Sequence, residues 1–166
     1  MDRELLLLGL LRQENMHGYQ LHEFINRNMS SCVDLKKPTA YYLLEKMVEA
    51  GWINEIQEQE GNRPPRNVFQ LTAEGEAAFQ RLLRENISTY HSTHFADDIG
   101  LAFLDTLPKQ EARTLLDMRR TIIVNTLAKA QLVPPHPGSS QLVIEHLVHH
   151  LQSELAWLDQ VISRIT

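Results

Sequence analysis

Side chains that give hydrogen bonds and accept none crowd into one part of this chain. Lys36, Lys37, Lys46, Arg63 and Arg66 fall close together in a sequence whose formal net charge is −5. Ammonium and guanidinium groups offer only N–H bonds, which suits them to phosphate oxygens. Thr39, Tyr41 and Tyr42 lie among them, with hydroxyls that both give and accept hydrogen bonds. Such a mixture fits a nucleic-acid duplex: cations meet the backbone, and polar or aromatic side chains meet base edges in the major groove. Bulk charge leans the other way, with eight basic and twelve acidic side chains in residues 1–80. A local stripe outweighs that total.

Other chemistries find less support. Cys32 and His22 pair a nucleophile with a base by type only. No glycine-rich phosphate loop and no telling pair of carboxylates accompanies them, so neither an enzyme nor a cofactor is expected. One cysteine excludes an internal disulfide framework and a cysteine zinc site. His91 and His94, and His146, His149 and His150, have spacings that put ligand pairs on one helix face. No cysteine or carboxylate cluster joins them, and they flank an apolar seam where solvated residues belong, so no metal is expected.

The elements that must position the cations read as follows. Arg3 to Gln13 is almost solid leucine, a helix buried as the spine of its domain. Glu14 to Gly18 breaks it, and a second helix carries Leu21, Phe24 and Ile25 to about Asn28. A polar connection, Met29 to Asp34, leads to a third helix. Pro38 suits its first position, Ala40, Leu44, Met47 and Val48 form its core face, and Gly51 suits a left-handed cap. Thr39, Tyr42 and Lys46 share its other face. Three short helices with this third face outward resemble a helix-turn-helix.

After Gly51 the period changes. Trp52–Glu58 and Asn67–Leu71 read as paired strands around a polar, proline-rich loop, residues 59–66, with a basic tip. A hairpin placed there is a wing. Thr72 caps a fourth helix running to about Thr89. Beyond it the chain is helical: a short apolar helix over Phe95–Leu104, then Lys109–Leu132 with Ala112, Leu115, Leu116, Ile122, Ile123 and Leu127 on one side. A break follows at Pro134–Gly138, and the last helix spans about Ser139–Ile165. Its seam of Ile144, Leu147, Leu151, Leu155, Leu158, Ile162 and Ile165 steps by three and four, the mark of a helix that meets another. A partner subunit is expected there; packing against Lys109–Leu132 is the alternative, and both are compatible.

The fold class is therefore mainly α with a small β-wing. A winged helix-turn-helix domain occupies residues 1–90 and an α-helical dimerisation domain residues 91–166. A hydrophobic share of 43% belongs to a foldable chain. The longest apolar run, Leu5–Leu11, is too short to span a bilayer, and Asp2 and Glu4 sit where a signal peptide has positive charge. A soluble, cytoplasmic protein without a membrane partner is expected.

These residues resemble the PadR family of transcriptional regulators over nearly the whole chain. The apolar run Leu5–Leu11 followed by His17-Gly18-Tyr19-Gln20-Leu21 resembles the family's opening. Pro38-Thr39-Ala40-Tyr41 with Leu44, Met47 and Gly51 resembles its recognition helix. Pro64-Pro65-Arg66, Phe69, Leu71-Thr72 and Gly75 resemble its wing. Leu107-Pro108 with Glu111-Ala112, and Glu154 to Leu158, resemble the helical domain of the longer subfamily. The chain departs at Tyr42, where proline is common, and at Glu55, Glu58 and Glu60 in the wing.

The resemblance implies a homodimer on operator DNA, usually a repressor, released by a small-molecule effector. On that basis Thr39, Tyr42 and Lys46 enter the major groove, while Lys36, Lys37, Arg63 and Arg66 hold phosphates. Tyr19 and His17 add a phosphate contact where a helix dipole helps. Tyr41 either touches DNA or packs between helices. Trp157 either lines an effector pocket or packs in a core. Dimer contacts fall to Ile144, Leu147, Leu151, Leu155, Leu158 and Ile162. The rival reading is a winged-helix interaction adaptor that binds no DNA.

Overall fold

A computed structural model describes residues 2–28, 35–59, 66–90, 92, 95 and 98–165. The chain divides into two compact units, Met1–Ser92 and Thr93–Thr166. Cys32, Glu60, Arg63, Pro64, Pro65, His91 and His94 lie outside the described residues, as does the connection expected over Met29–Asp34.

The first unit opens with α1 (Asp2–Leu11), whose Leu7, Leu8, Leu10 and Leu11 are all buried. Adjacent leucines point in directions about 100° apart, so burying both kinds requires packing on several sides. The helix is accordingly a central spine. α2 (Gly18–Asn28) buries Leu21 and Ile25, whereas Phe24 turns outward. α3 (Lys37–Glu49) buries Ala40, Leu43, Leu44 and Met47. It begins at Lys37, placing Pro38 one position later than expected, still within the turn where a missing N–H costs nothing. Gly51, at φ +71°, ends it: its N–H donates to the Val48 carbonyl and that of Trp52 to the Met47 carbonyl, both at 2.9 Å. That pair of bonds is a Schellman cap, which requires the left-handed conformation glycine tolerates best.

Strands β2 (Ile53–Glu58) and β3 (Arg66–Leu71) form the expected antiparallel pair, with Ile53 opposite Leu71 and Glu58 opposite Arg66. The sheet has a third strand, which carries no sequence period of its own. Met16–His17 forms β1, antiparallel to β3 on its other edge, with Met16 opposite Phe69 and His17 opposite Val68. α4 (Ala73–Ser88) starts at Thr72, whose hydroxyl accepts the Gly75 N–H at 3.0 Å and donates toward the Gly51 carbonyl at 2.7 Å. One side chain thus joins the end of α3 to the start of α4. Arg12 fastens α4 again, through Glu76 at 2.8 Å.

In the second unit the apolar stretch expected as one helix over Phe95–Leu104 is shorter. α5 covers Asp98–Ala102 and a 3₁₀ turn covers Leu104–Thr106. After Ala102 the Phe103 N–H donates to the Gly100 carbonyl at 3.3 Å and the Thr106 hydroxyl to the Phe103 carbonyl at 2.8 Å, turn contacts that end the helix. α6 (Lys109–Gln131) and α7 (Ser140–Arg164) pack around Leu116, Ile123, Leu158 and Ile162, flanked by Leu151 and Leu155. Arg119 to Glu154 and Arg120 to Asp159, each 2.6 Å, tie the two helices at the margin. Leu115 and Ile122, expected on one side of α6 with Leu116 and Ile123, are exposed. Each precedes a buried residue by one position, a step of about 100° that carries it off the core face.

Candidate nucleic-acid interface

The outer face of α3 is organised around one stripe. Thr39 is half-buried, while Tyr42 and Lys46 are exposed in successive turns. The Lys46 Nζ lies 4.8 Å from the centroid of the Tyr42 ring. A hydrogen bond with Tyr42, then electrostatic attraction to it, holds the Lys46 ammonium above the usual lysine range; Glu49 and Glu4 add smaller attractions and partial desolvation opposes them. This lysine is a fixed cation at any physiological pH. At the start of the helix, Lys36 occupies the N-cap without capping through its side chain, and its ammonium stem is exposed. The Lys37 Nζ stands 5.9 Å from the Tyr41 ring centroid.

Tyr41 is half-buried, and its ring lies against Gly18. A methyl group added to Gly18 would sit 3.0 Å from Tyr41 Cε1 and 3.3 Å from Phe69 Cε2. A side chain at that position would press on both rings, so glycine suits the close approach of α2 to α3. The same ring borders a concavity of about 260 Å³, shared with His17, Tyr19, Arg66, Asn67 and Phe69. Packing and exposure to a ligand are thus both properties of Tyr41.

On the other wall of that concavity, the β1–β3 pairing brings His17 and Tyr19 beside residues some fifty positions later. The His17 Nδ1 lies 3.1 Å from the Asn67 carbonyl oxygen, so that nitrogen carries the proton and donates. The imidazole stacks on Tyr19 at 5.4 Å between centroids and 12° between planes. The Arg66 guanidinium carbon lies 5.7 Å from the Tyr19 ring centroid, and Nη1 donates to the Tyr19 hydroxyl at 3.3 Å. Contacts of this kind fix a cation's position without neutralising it. Asn67 donates through Nδ2 to the Glu55 carboxylate, and Glu58 sits opposite Arg66 in the sheet register.

His17, Tyr19, Tyr41 and Arg66 are therefore gathered at one concavity, with Lys37 over the Tyr41 ring. Thr39, Tyr42 and Lys46 form the stripe on α3, and Arg63 is outside the described residues. Asn67 was missed. Nothing in its local sequence marks it, since its role depends on the strand pairing that presents its carbonyl to His17.

Residues 7–81 match the family model of the transcriptional regulator PadR-like family. Residues 7–81 therefore form a PadR-like domain. No curated protein sequence matches it significantly. Solved structures do. Bacillus subtilis PadR in complex with operator DNA superposes with a TM-score of 0.87 at 18% identity, covering 100% of both chains. The same protein with p-coumaric acid gives 0.81 at 18% identity, covering 98% of this chain and 97% of that one. A PadR-like regulator from Bacillus cereus gives 0.72 at 12% identity, over 98% and 97%. At these identities the likeness establishes the fold, a winged helix with a helical C-terminal region.

PadR-like proteins are regulators rather than enzymes. In the helical unit, the seam expected to make dimer contacts divides. Leu158 is 0% and Ile162 8% exposed, because α6 covers them within one chain. Ile144, Leu147, Leu151 and Leu155 keep part of their surface. Trp157 is exposed, so it is not a core residue of this single chain. His146, His149 and His150 are exposed as well, and among the described residues no group of three His, Cys, Asp or Glu side chains could hold a metal ion. No helix among the described residues is long and apolar enough to cross a membrane.

Proposed function

We propose that the chain is a cytoplasmic homodimer that binds operator DNA and represses transcription until a small-molecule effector releases it. The observation that carries this reading is the continuity of donors from α3 to the wing: Lys37 over Tyr41, and Tyr41 bordering the concavity that holds Arg66 on Tyr19. Lys36, Lys37, Arg63 and Arg66, with Tyr19 and His17, hold phosphates. Thr39, Tyr42 and Lys46 enter the major groove, and Tyr41 supports them from behind. The acidic wing is a smaller obstacle than its sequence suggests, since Asn67 already engages Glu55.

Dimer formation answers a packing problem. Two helices and a short turn bury only one face each. Leu115, Met118 and Ile122 remain 46%, 60% and 67% exposed on α6, with Leu142 and Val143 exposed on α7. Ile144, Leu147, Leu151 and Leu155 contribute to the contact, and Leu158 and Ile162 stiffen it from within each chain. A two-fold dimer then reads two half-sites about one helical turn apart. Exposed Trp157 is the residue assigned to the effector, and p-coumaric acid, bound by the Bacillus subtilis relative, is the first probe to try.

Fluorescence anisotropy against a duplex from upstream of the protein's own gene tests the reading, with a scrambled duplex and two salt concentrations alongside. Binding that prefers the upstream duplex and weakens steeply with salt is the expected outcome, because each neutralised phosphate contributes about −0.9 to the slope of log K against log salt. Absence of binding to either duplex at low salt would overturn it and favour the adaptor.

A further inference from the structure

We infer that Lys46, positioned by Tyr42, reads one guanine in each half-site through that base's N7 and O6. The inference rests on the DNA-binding reading above and adds the base that α3 selects.

Lys46 belongs to the last turn of α3, where a side chain reaching straight outward would meet the backbone at the groove's edge. It does not reach that way. Helical side chains lean toward the N-terminus, and the Lys46 ammonium lies over the Tyr42 ring, 4.8 Å from its centroid. The charge is thereby drawn back one turn, to the middle of the exposed face. Glu45 and Glu49 are also exposed on this part of the helix, and their carboxylates repel phosphate. A cation drawn back over the Tyr42 ring, with acids exposed on the same stretch of helix, suits the groove floor better than the backbone.

An ammonium group has three donors and no acceptor. Guanine alone presents two neighbouring acceptors, N7 and O6, to the major groove. Adenine sets a donor beside its N7, cytosine offers a donor, and thymine offers one acceptor beside a methyl group. Tyr42 is a positioning residue: its ring and hydroxyl fix where the ammonium sits.

The full-length protein and its Lys46→Gln variant are each used to select binding sites from a randomised duplex pool. Lys46 is exposed, and matching thermal melts confirm that the variant folds. The wild type is expected to demand a guanine at one position of each half-site, and the variant to lose that demand while keeping the other preferences. In anisotropy titrations, replacing the selected guanine with 7-deazaguanine should weaken wild-type binding between about fivefold and a hundredfold and leave the variant unaffected. Tyr42→Ala should relax the same position, and Tyr42→Phe should relax it less. Lys37→Ala should lower affinity for all duplexes with base preferences unchanged. The same guanine demanded by wild type and Lys46→Gln, or full sensitivity of the variant to 7-deazaguanine, overturns the inference and leaves DNA binding standing. No enrichment by the wild type overturns both.

Discussion

Replacing Gly75 with alanine should destabilise the first unit, opposite in sign to what helix propensity alone predicts. Within a helix, alanine in place of glycine stabilises by roughly 0.5–1 kcal/mol. At Gly75 the new methyl would lie 2.7 Å from Leu71 Cδ1 and closer still to the Trp52 carbonyl oxygen. The leucine can rotate; the backbone carbonyl cannot yield without moving the start of β2. Overpacking of this kind costs about 1–3 kcal/mol. Displacing α4 also loosens the Gly75 N–H from the Thr72 hydroxyl, a cap whose loss costs roughly 1 kcal/mol. After the propensity gain, a net loss of about 1–3 kcal/mol remains, a large part of the 5–15 kcal/mol typical of a domain. Urea denaturation of the full chain, followed through Trp52 in a Trp157→Phe background, reads this unit alone. With a slope of about 1–3 kcal/mol per molar, the midpoint should fall by roughly 1 M. A midpoint unchanged or raised would refute the steric reasoning.

Arg66→Ala should weaken binding to every duplex alike and reduce the salt slope by about one per subunit; a loss confined to one sequence would contradict a phosphate contact. Leu158→Ala should cost about 2–5 kcal/mol, read as an earlier melt in Trp157 fluorescence, and an unchanged melt would remove Leu158 from the core. Glu76 gives a pH test. The Gln80 hydrogen bond first, and then Arg12, hold its carboxyl below the usual range against partial desolvation. A depressed folded value means stability present above the unfolded pKa of about 4.3 and lost as pH falls through the lower folded value. Melting temperatures of the wild type should therefore fall more steeply with acid than those of Glu76→Gln, and parallel curves would refute the link.

What could be read from sequence was whatever is local. The leucines of α1, the core face of α3, the glycine that ends it and the threonine that starts α4 each depend on neighbours within a turn or two. β1 could not be read, because two residues carry no period; Met16–His17 becomes a strand only where β3 offers an open edge. The reversal on α6 has a similar cause. Leu115 and Leu116 look equivalent in sequence, and only the direction from which α7 approaches selects one for the core. In the interface, the identities of the cations were legible and their holders were not. Arg66 finds Tyr19 across forty-seven positions, a pairing made by β1 and by nothing in the intervening sequence.

The sheet order leaves β2 at one side, paired among the described residues with β3 alone. Beyond Ile53 every residue of β2 is exposed, so its outer rim is a template on which a second molecule could add a strand. Glu55 and Glu58 stand as guards on that strand, since charge is a common means of discouraging edge-to-edge aggregation. Acids that are awkward beside phosphate thus serve the protein's solubility at high concentration. Neutralising them to tighten DNA binding would therefore come at the cost of self-association along that edge.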